Sequence, residues 1–381
     1  MAGSRSLSER RETKRSHLAE RWERLNGPHR IGGVDLARGL AVLGMFAAHL
    51  LWIEPLDFAD SSTWVDIVNG RSSILFATLA GVSIGIVTGG RTPLTGHRLE
   101  VVRLRLVVRA GLLWLIGLLL IWSRVPVYVI LPAYAILFLL ALPFIVFGAR
   151  ALLLLAGTLA VVMPVIQVAL DSLPLWSTPA GSDLSTLLGW HYPFTVWIAF
   201  VLAGLGVARA GILRARVQLW MLGAGALLAV IGYGLDAVTG AGDAAEAISY
   251  WGAVWTSRAH SSGVLEVIGT GGFALAVIGA CLLLCRTVLT WVVLPLRAVG
   301  AMPLTAYVAQ LVVWAIVATA VLGDAGDLRG FRDLEPFWPL ALWTIAACTA
   351  WALLVGRGPL EWVVDRLARL MAPGRVGRVE R

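Results

Sequence analysis

An aspartate, an arginine and a histidine stand inside one apolar stretch of the chain, residues 30–52, RIGGVDLARGLAVLGMFAAHLLW. On a helix that turns about 100° per residue, Asp35, Arg38 and His49 fall within about 60° of one another. The same face carries Gly39, Val42, Met45 and Phe46 between them. At about 1.5 Å rise per residue, Asp35 and His49 lie about 21 Å apart along the axis. That is most of a hydrocarbon core about 30 Å thick. Ionisable groups at such depth are costly and face a bundle interior or a wet cavity. The imidazole offers a general base for a proton held by a hydroxyl or an amine. The plainer alternative makes Asp35 and Arg38 a capping and interface pair, with His49 near the headgroups.

Membrane helices must position these groups. The chain has 381 residues, of which 58% are hydrophobic and 14% charged. Its mean hydropathy of +0.81 excludes an ordinary soluble domain. The expected fold is an all-α, polytopic helical bundle of about ten spans: 33–53, 72–89, 106–122, 127–147, 150–170, 192–208, 217–236, 263–285, 302–322 and 337–356. With the N-terminus inside, 25 Lys and Arg fall in inner segments and five in outer ones. This asymmetry sets both termini in the cytoplasm of a multi-pass plasma-membrane protein. The net charge of +8 is thereby a topology signal, and no nucleic acid is needed to explain it. Three parts are expected: a basic cytoplasmic tail (1–30) that is not a signal peptide, a membrane domain (31–357), and a cytoplasmic amphipathic helix and tail (358–381).

Asp-x-x-Arg-Gly at residues 35–39, with His49 fourteen residues after the aspartate, resembles the transmembrane acyltransferase superfamily. That superfamily includes the heparan-alpha-glucosaminide N-acetyltransferase-like (YeiB-like) proteins and the bacterial acyltransferase family three. Residues 260–272 and 300–310, and the GPLEW of residues 358–362, are similar to the C-terminal half of the YeiB-like branch. The resemblance implies transfer of an acyl group, most simply acetyl, from cytosolic acyl-CoA to an extracytoplasmic glycan or glycolipid. His49 is then the general base, or the carrier of a covalent acyl group. Asp35 and Arg38 match the motif, and their inner position suits a structural or donor-binding role.

Other residues take places around that reaction. Arg71, a lone cation at the outer end of the second span, serves either as an interface anchor or as an oxyanion partner near His49. Glu266, one turn inside the eighth span, is the second candidate for the reaction centre and for orienting His49. His191, at the rim of the sixth span, and Trp255, Arg258 and His260, in the third outer loop, are candidate acceptor contacts. Trp at an interface is also ordinary belt composition. On the inner side Arg103, Arg105 and Arg109 could hold the phosphates of coenzyme A, or simply flank the membrane. Gln310 lines the donor channel or bonds between helices. Gly81, Gly85 and Gly89 read as a helix-packing face, and Gly269–Gly272 as packing or channel lining. Cys281, Cys285 and Cys348 read as inert thiols, with no metal ligation. The outer loop 323–339 reads as solvated and mixed in charge. The chain could form a homodimer. A proton-coupled carrier or lipid flippase is the rival class, since a membrane-embedded Asp and His suit it too.

Overall fold

The computed structural model describes residues 25–27, 30–241 and 249–374. Nearly all of the expected basic tail lies outside these residues, as do Asp243 and Glu246 of the third outer loop. The described chain is helical. In order it forms α1 (Gly32–Leu50), a 3-10 turn (Ser61–Val68), α2 (Arg71–Val87), α3 (Gly96–Trp122), α4 (Leu131–Ala141) continued by a 3-10 turn (Leu142–Val146), and α5 (Ala149–Asp171). There follow α6 (Pro179–Leu188), α7 (Phe194–Gly211), α8 (Ala215–Thr239), α9 (Tyr250–Trp255), α10 (Val264–Leu284), α11 (Leu289–Val292) and α12 (Leu294–Ala301). The last are α13 (Pro303–Leu322), α14 (Leu328–Asp333), α15 (Phe337–Leu354) and α16 (Pro359–Met371).

Among the described residues, nine helices are long and apolar enough to cross a membrane. The expected fourth span is a shorter unit: α4 has eleven residues and gives way to a 3-10 turn beginning at Leu142, with Pro143 second. Proline cannot donate into a helix interior, so the change of winding falls there. Pro164, by contrast, lies inside an unbroken α5.

Close backbone contact holds the bundle. The pair α8 and α10 meets through Gly225, Gly232, Gly269, Gly272 and Gly279. A Cβ added at Gly232 would stand 2.5 Å from Gly269 Cα, and one at Gly272 would stand 2.6 Å from Gly225 O. Lipid gives helices no hydrophobic reason to associate, so small residues that allow such approach drive the pairing. The GTGG segment is therefore packing. Gly81 and Gly85 act alike between α2 and α7, against Val201 O and the Ala208 Cβ. Gly89 does not pack. Its φ of +116° lies past the end of α2 in a region that favours glycine.

Two connections depart from the sequence reading. The inner link 286–297, an apolar connection, reads from its sequence as a short interfacial helix. Its second half instead begins α12, which is driven against α1: Gly300 lies on Asp35 O and Gly39 on Leu296 O. The loop 323–339 was expected in solvent, but α14 folds back into the bundle. Phe331 is 1% exposed and stacks on Trp314 at 4.6 Å between ring centroids. Burying the Phe331 ring favours this fold, while the flanking Asp327, Arg329, Asp333 and Glu335 stay exposed and so keep their hydration. Cys281 and Cys348 are buried free thiols.

Candidate active site

His49 is the last residue but one of α1. Its Nδ1 stands 3.4 Å from the Gln310 amide nitrogen of α13. Arg332 of α14 donates from Nε to the His49 carbonyl at 3.0 Å, and its guanidinium lies over the Trp52 ring at 5.0 Å. A cation here satisfies carbonyls that the end of α1 leaves without intrahelical partners.

The imidazole opens on an outer cavity of about 520 Å³. His191 and His260 line the same cavity, as do Arg332, Ser72 and Tyr307. His191 stacks on Tyr128 at 3.5 Å between centroids. At the far wall Asp171 accepts from Gln167 Nε2 at 2.8 Å and from Trp190 Nε1 at 2.7 Å, and Trp190 stacks on Trp176. Burial holds the His260 imidazole below its ordinary pKa, with repulsion from His191 adding to it. Burial lowers His191 as well, opposed by Asp171. Both rings are neutral near pH 7 and can accept or donate hydrogen bonds.

A second cavity, of about 290 Å³, lies on the inner side between α1, α2, α3, α4, α13 and α16. Arg38, Arg109, Ser83, Glu361 and Asp365 line it. Met45, Ile130 and Tyr307 belong to the walls of both cavities, so these residues form the partition between them. The Tyr307 hydroxyl accepts the Ile130 N–H at 3.4 Å.

The family-motif residues sit at the inner end. Asp35 is 2% exposed and accepts from Arg30 Nε at 2.5 Å and from Arg38 at 3.2 Å. Arg38 also donates to Ser83 Oγ at 2.6 Å. Asp35 thus aims the Arg38 guanidinium across to α2. Of the three basic candidates, Arg109 pairs with Asp365 at 2.8 Å. Arg105 donates to the carbonyls of Ala372 and Gly374 beyond α16. Arg103 makes no side-chain hydrogen bond among the described residues. Arg357 and Arg369 join Arg109 on Asp365. Burial pushes this carboxyl up, but the three guanidiniums outweigh it and hold it below the ordinary range. Glu361, from GPLEW, caps α13 from outside by accepting the Leu304 and Thr305 N–H groups at 2.8 and 3.1 Å.

Eight sequence candidates fall outside the walls of the two cavities: Asp35, Arg103, Arg105 and Gln310, placed above, and Arg71, Glu266, Trp255 and Arg258. Arg71 turns away from His49: its Nε donates to Tyr233 OH at 2.8 Å and its guanidinium lies over that ring. Tyr233 in turn bonds Thr270. Glu266 does not orient His49 but holds the outer turn, accepting His260 N at 2.6 Å, Ser262 N at 2.5 Å and Ser261 Oγ at 3.1 Å. His260 and Ser262 have φ of 65° and 56°, strained values for residues other than glycine. Glu266 is therefore a positioning residue for His260. Trp255 and Arg258 are exposed and line neither cavity.

Sequence reading missed Arg332, Asp171 and Gln167, whereas Tyr307, like Gln310, reads from sequence as lining the donor channel or bonding between helices. Arg332 lay hidden among loop charges, and only the neighbouring Phe331 signalled that the segment is buried. The other two are single polar residues near a helix end, which carry no motif.

A family model described as heparan-alpha-glucosaminide N-acetyltransferase, catalytic, matches residues 30–235. A second, described as a protein of unknown function (DUF418), matches residues 207–370. No curated protein matches the chain.

Proposed function

The chain belongs to the heparan-alpha-glucosaminide N-acetyltransferase catalytic family, and we propose that it carries acetyl from cytosolic acetyl-CoA to an amine or hydroxyl of an outer-face glycan or glycolipid. The coarse activity, a membrane acetyltransferase, follows from the family. The finer reading rests on one observation: the inner and outer cavities share a single partition, with His49 on its outer side.

Donor phosphates have guanidinium partners at the inner mouth in Arg38, Arg109, Arg357 and Arg369. The thioester passes inward to the partition. An acceptor sugar enters from outside, against the stacked rings of the outer wall. His49 Nε2 takes the proton from the acceptor as its nitrogen or oxygen attacks the thioester carbonyl. The new C–N or C–O bond forms, the C–S bond breaks, and the imidazolium returns the proton to sulfur. Free coenzyme A leaves to the cytosol. Tyr307, whose O–H hydrogen has no acceptor among the described residues, donates to the carbonyl oxygen as charge develops.

This role requires one tautomer. Nε2 can act as base only if the ring proton sits on Nδ1. Gln310 must then present its oxygen, not its nitrogen, to the ring. The Gln310 Oε1 as placed is buried without a partner, and turning the amide over gives it the Nδ1–H donor. Amide orientation is an assignment made from such networks.

The test is thiol release from acetyl-CoA by protein in nanodiscs with glucosamine as acceptor. Wild type should release thiol in step with N-acetylglucosamine, and His49→Ala should lose both. In sealed vesicles, glucosamine crossing the bilayer without thioester cleavage would instead make the protein a carrier.

A further inference from the structure

Between α13 and α15 lies a third cavity of about 720 Å³, a groove walled almost wholly by apolar side chains. It runs from Met302 and Pro359 at the inner end to Val317, Leu334 and Pro336 at the outer end. From Met302 to Val317 the rise is about 22 Å, most of a hydrocarbon core. Both walls are membrane helices, so what reaches this groove from the side is hydrocarbon.

One wall residue is polar and deeply buried. Gln310 is 1% exposed, lines the groove, and is the residue whose amide meets His49. Its side chain therefore stands between groove and imidazole. At the outer end, α14 forms the divider: Phe331 faces the groove while the next residue, Arg332, lines the His49 cavity. The groove thus abuts the candidate reaction centre at two points, with Gln310 and α14 as the dividers, and its volume falls in the range of a ligand site.

We propose that this groove binds one hydrocarbon chain of a membrane-anchored acceptor and delivers its polar head past α14 to His49. This rests on the reading of the chain as a transferase and narrows the acceptor to a lipid-linked amine or hydroxyl. The head lies at the outer leaflet, beside Arg332, and the chain runs inward along α13.

Two readouts on one nanodisc preparation test it. Phosphatidylcholine bearing a photoreactive diazirine in one chain is the first probe. Labelling should concentrate on Val313, Val317 and Leu340, about fivefold above the exposed Leu227 and Val230 of α8. Ala309 and Ala347 line the groove and are exposed, so Ala309→Trp and Ala347→Trp fill it without disturbing the core. Either should abolish the excess. The second probe is a pair of acceptors, glucosamine and hexadecyl glucosaminide. Wild type should favour the second by about tenfold or more in kcat/KM. The tryptophan variants should lose that preference while their rate with free glucosamine stays unchanged. Labelling spread evenly over all lipid-facing helices and unaltered by the variants marks ordinary bilayer lipid and overturns the proposal. Equal use of both acceptors overturns it as well. Absence of thiol release with either acceptor removes the transferase reading, and the labelling alone then decides whether the groove is a chain site.

Discussion

The account depends first on the proton of one imidazole. Among the described residues His49 meets a single side-chain hydrogen-bond partner, Gln310, and a Nδ1–H bonded to the Gln310 oxygen leaves Nε2 free as the base. Gln310→Leu should lower kcat by about 10²-fold with little change in the donor KM, because tautomer choice is lost while both cavities persist. Unchanged kcat would remove Gln310 from the chemistry. Tyr307→Phe deletes the hydroxyl, both the proposed donor and the acceptor of the Ile130 N–H, and should cost about 10²-fold in kcat, the usual weight of a single oxyanion donor. Steady-state kinetics on the two variants separates these effects from folding. The outer histidines predict a pH dependence of stability. His260 and His191 are both held below their ordinary value, chiefly by burial. The unfolded chain takes up protons near pH 6.5, which the folded rings refuse until lower pH. Stability should therefore be full above about pH 6.5 and fall as the pH drops below it. Both residues keep solvent contact, so unfolding midpoints across that range should decline only slightly, and less in His260→Gln; midpoints that rise as the pH drops would contradict the lowered imidazoles. His49 and Asp35 were legible because charge inside an apolar run is conspicuous. The cation near His49 was not. Arg71 opens a helix beside it in sequence, yet turns to Tyr233, while Arg332 arrives from 283 residues away.

Among the elements, apolar length predicted the long helices, and glycine spacing predicted a packing face on α2 but not the helix it meets. A side chain at Gly272 cannot be accommodated, since its first atom meets Gly225 O and the backbone of α8. Gly272→Leu should separate α8 from α10 and cost about 1–3 kcal/mol or more, seen as a lowered unfolding midpoint or loss of folded protein. A variant as stable as wild type would mean that these helices do not approach as described. Hydropathy failed where a segment mixes signals. The 3-10 end of α4 follows from Pro143, but its register does not. The inward fold of α14 depends on Phe331 finding Trp314, a tertiary match invisible in a window of loop residues. The GPLEW segment was legible as a motif, while its use as a cap for α13 required Glu361 to be placed on the start of another helix.

For the whole molecule, the asymmetry of positive charge predicts an orientation, and in that orientation the two cavities would open to opposite sides. The inner one is rimmed by guanidiniums, the outer one by aromatic rings and neutral histidines. What the sequence could not supply was their meeting at Met45, Ile130 and Tyr307, residues contributed by three separate helices or their ends. The central claim is that transfer crosses this partition, and a sided assay tests it most directly. Protein is reconstituted in sealed vesicles with acetyl-CoA trapped inside and glucosamine only outside. The account predicts N-acetylglucosamine outside and free thiol inside, in equal amounts, both lost in His49→Ala. Product that forms only when donor and acceptor share a compartment would contradict it.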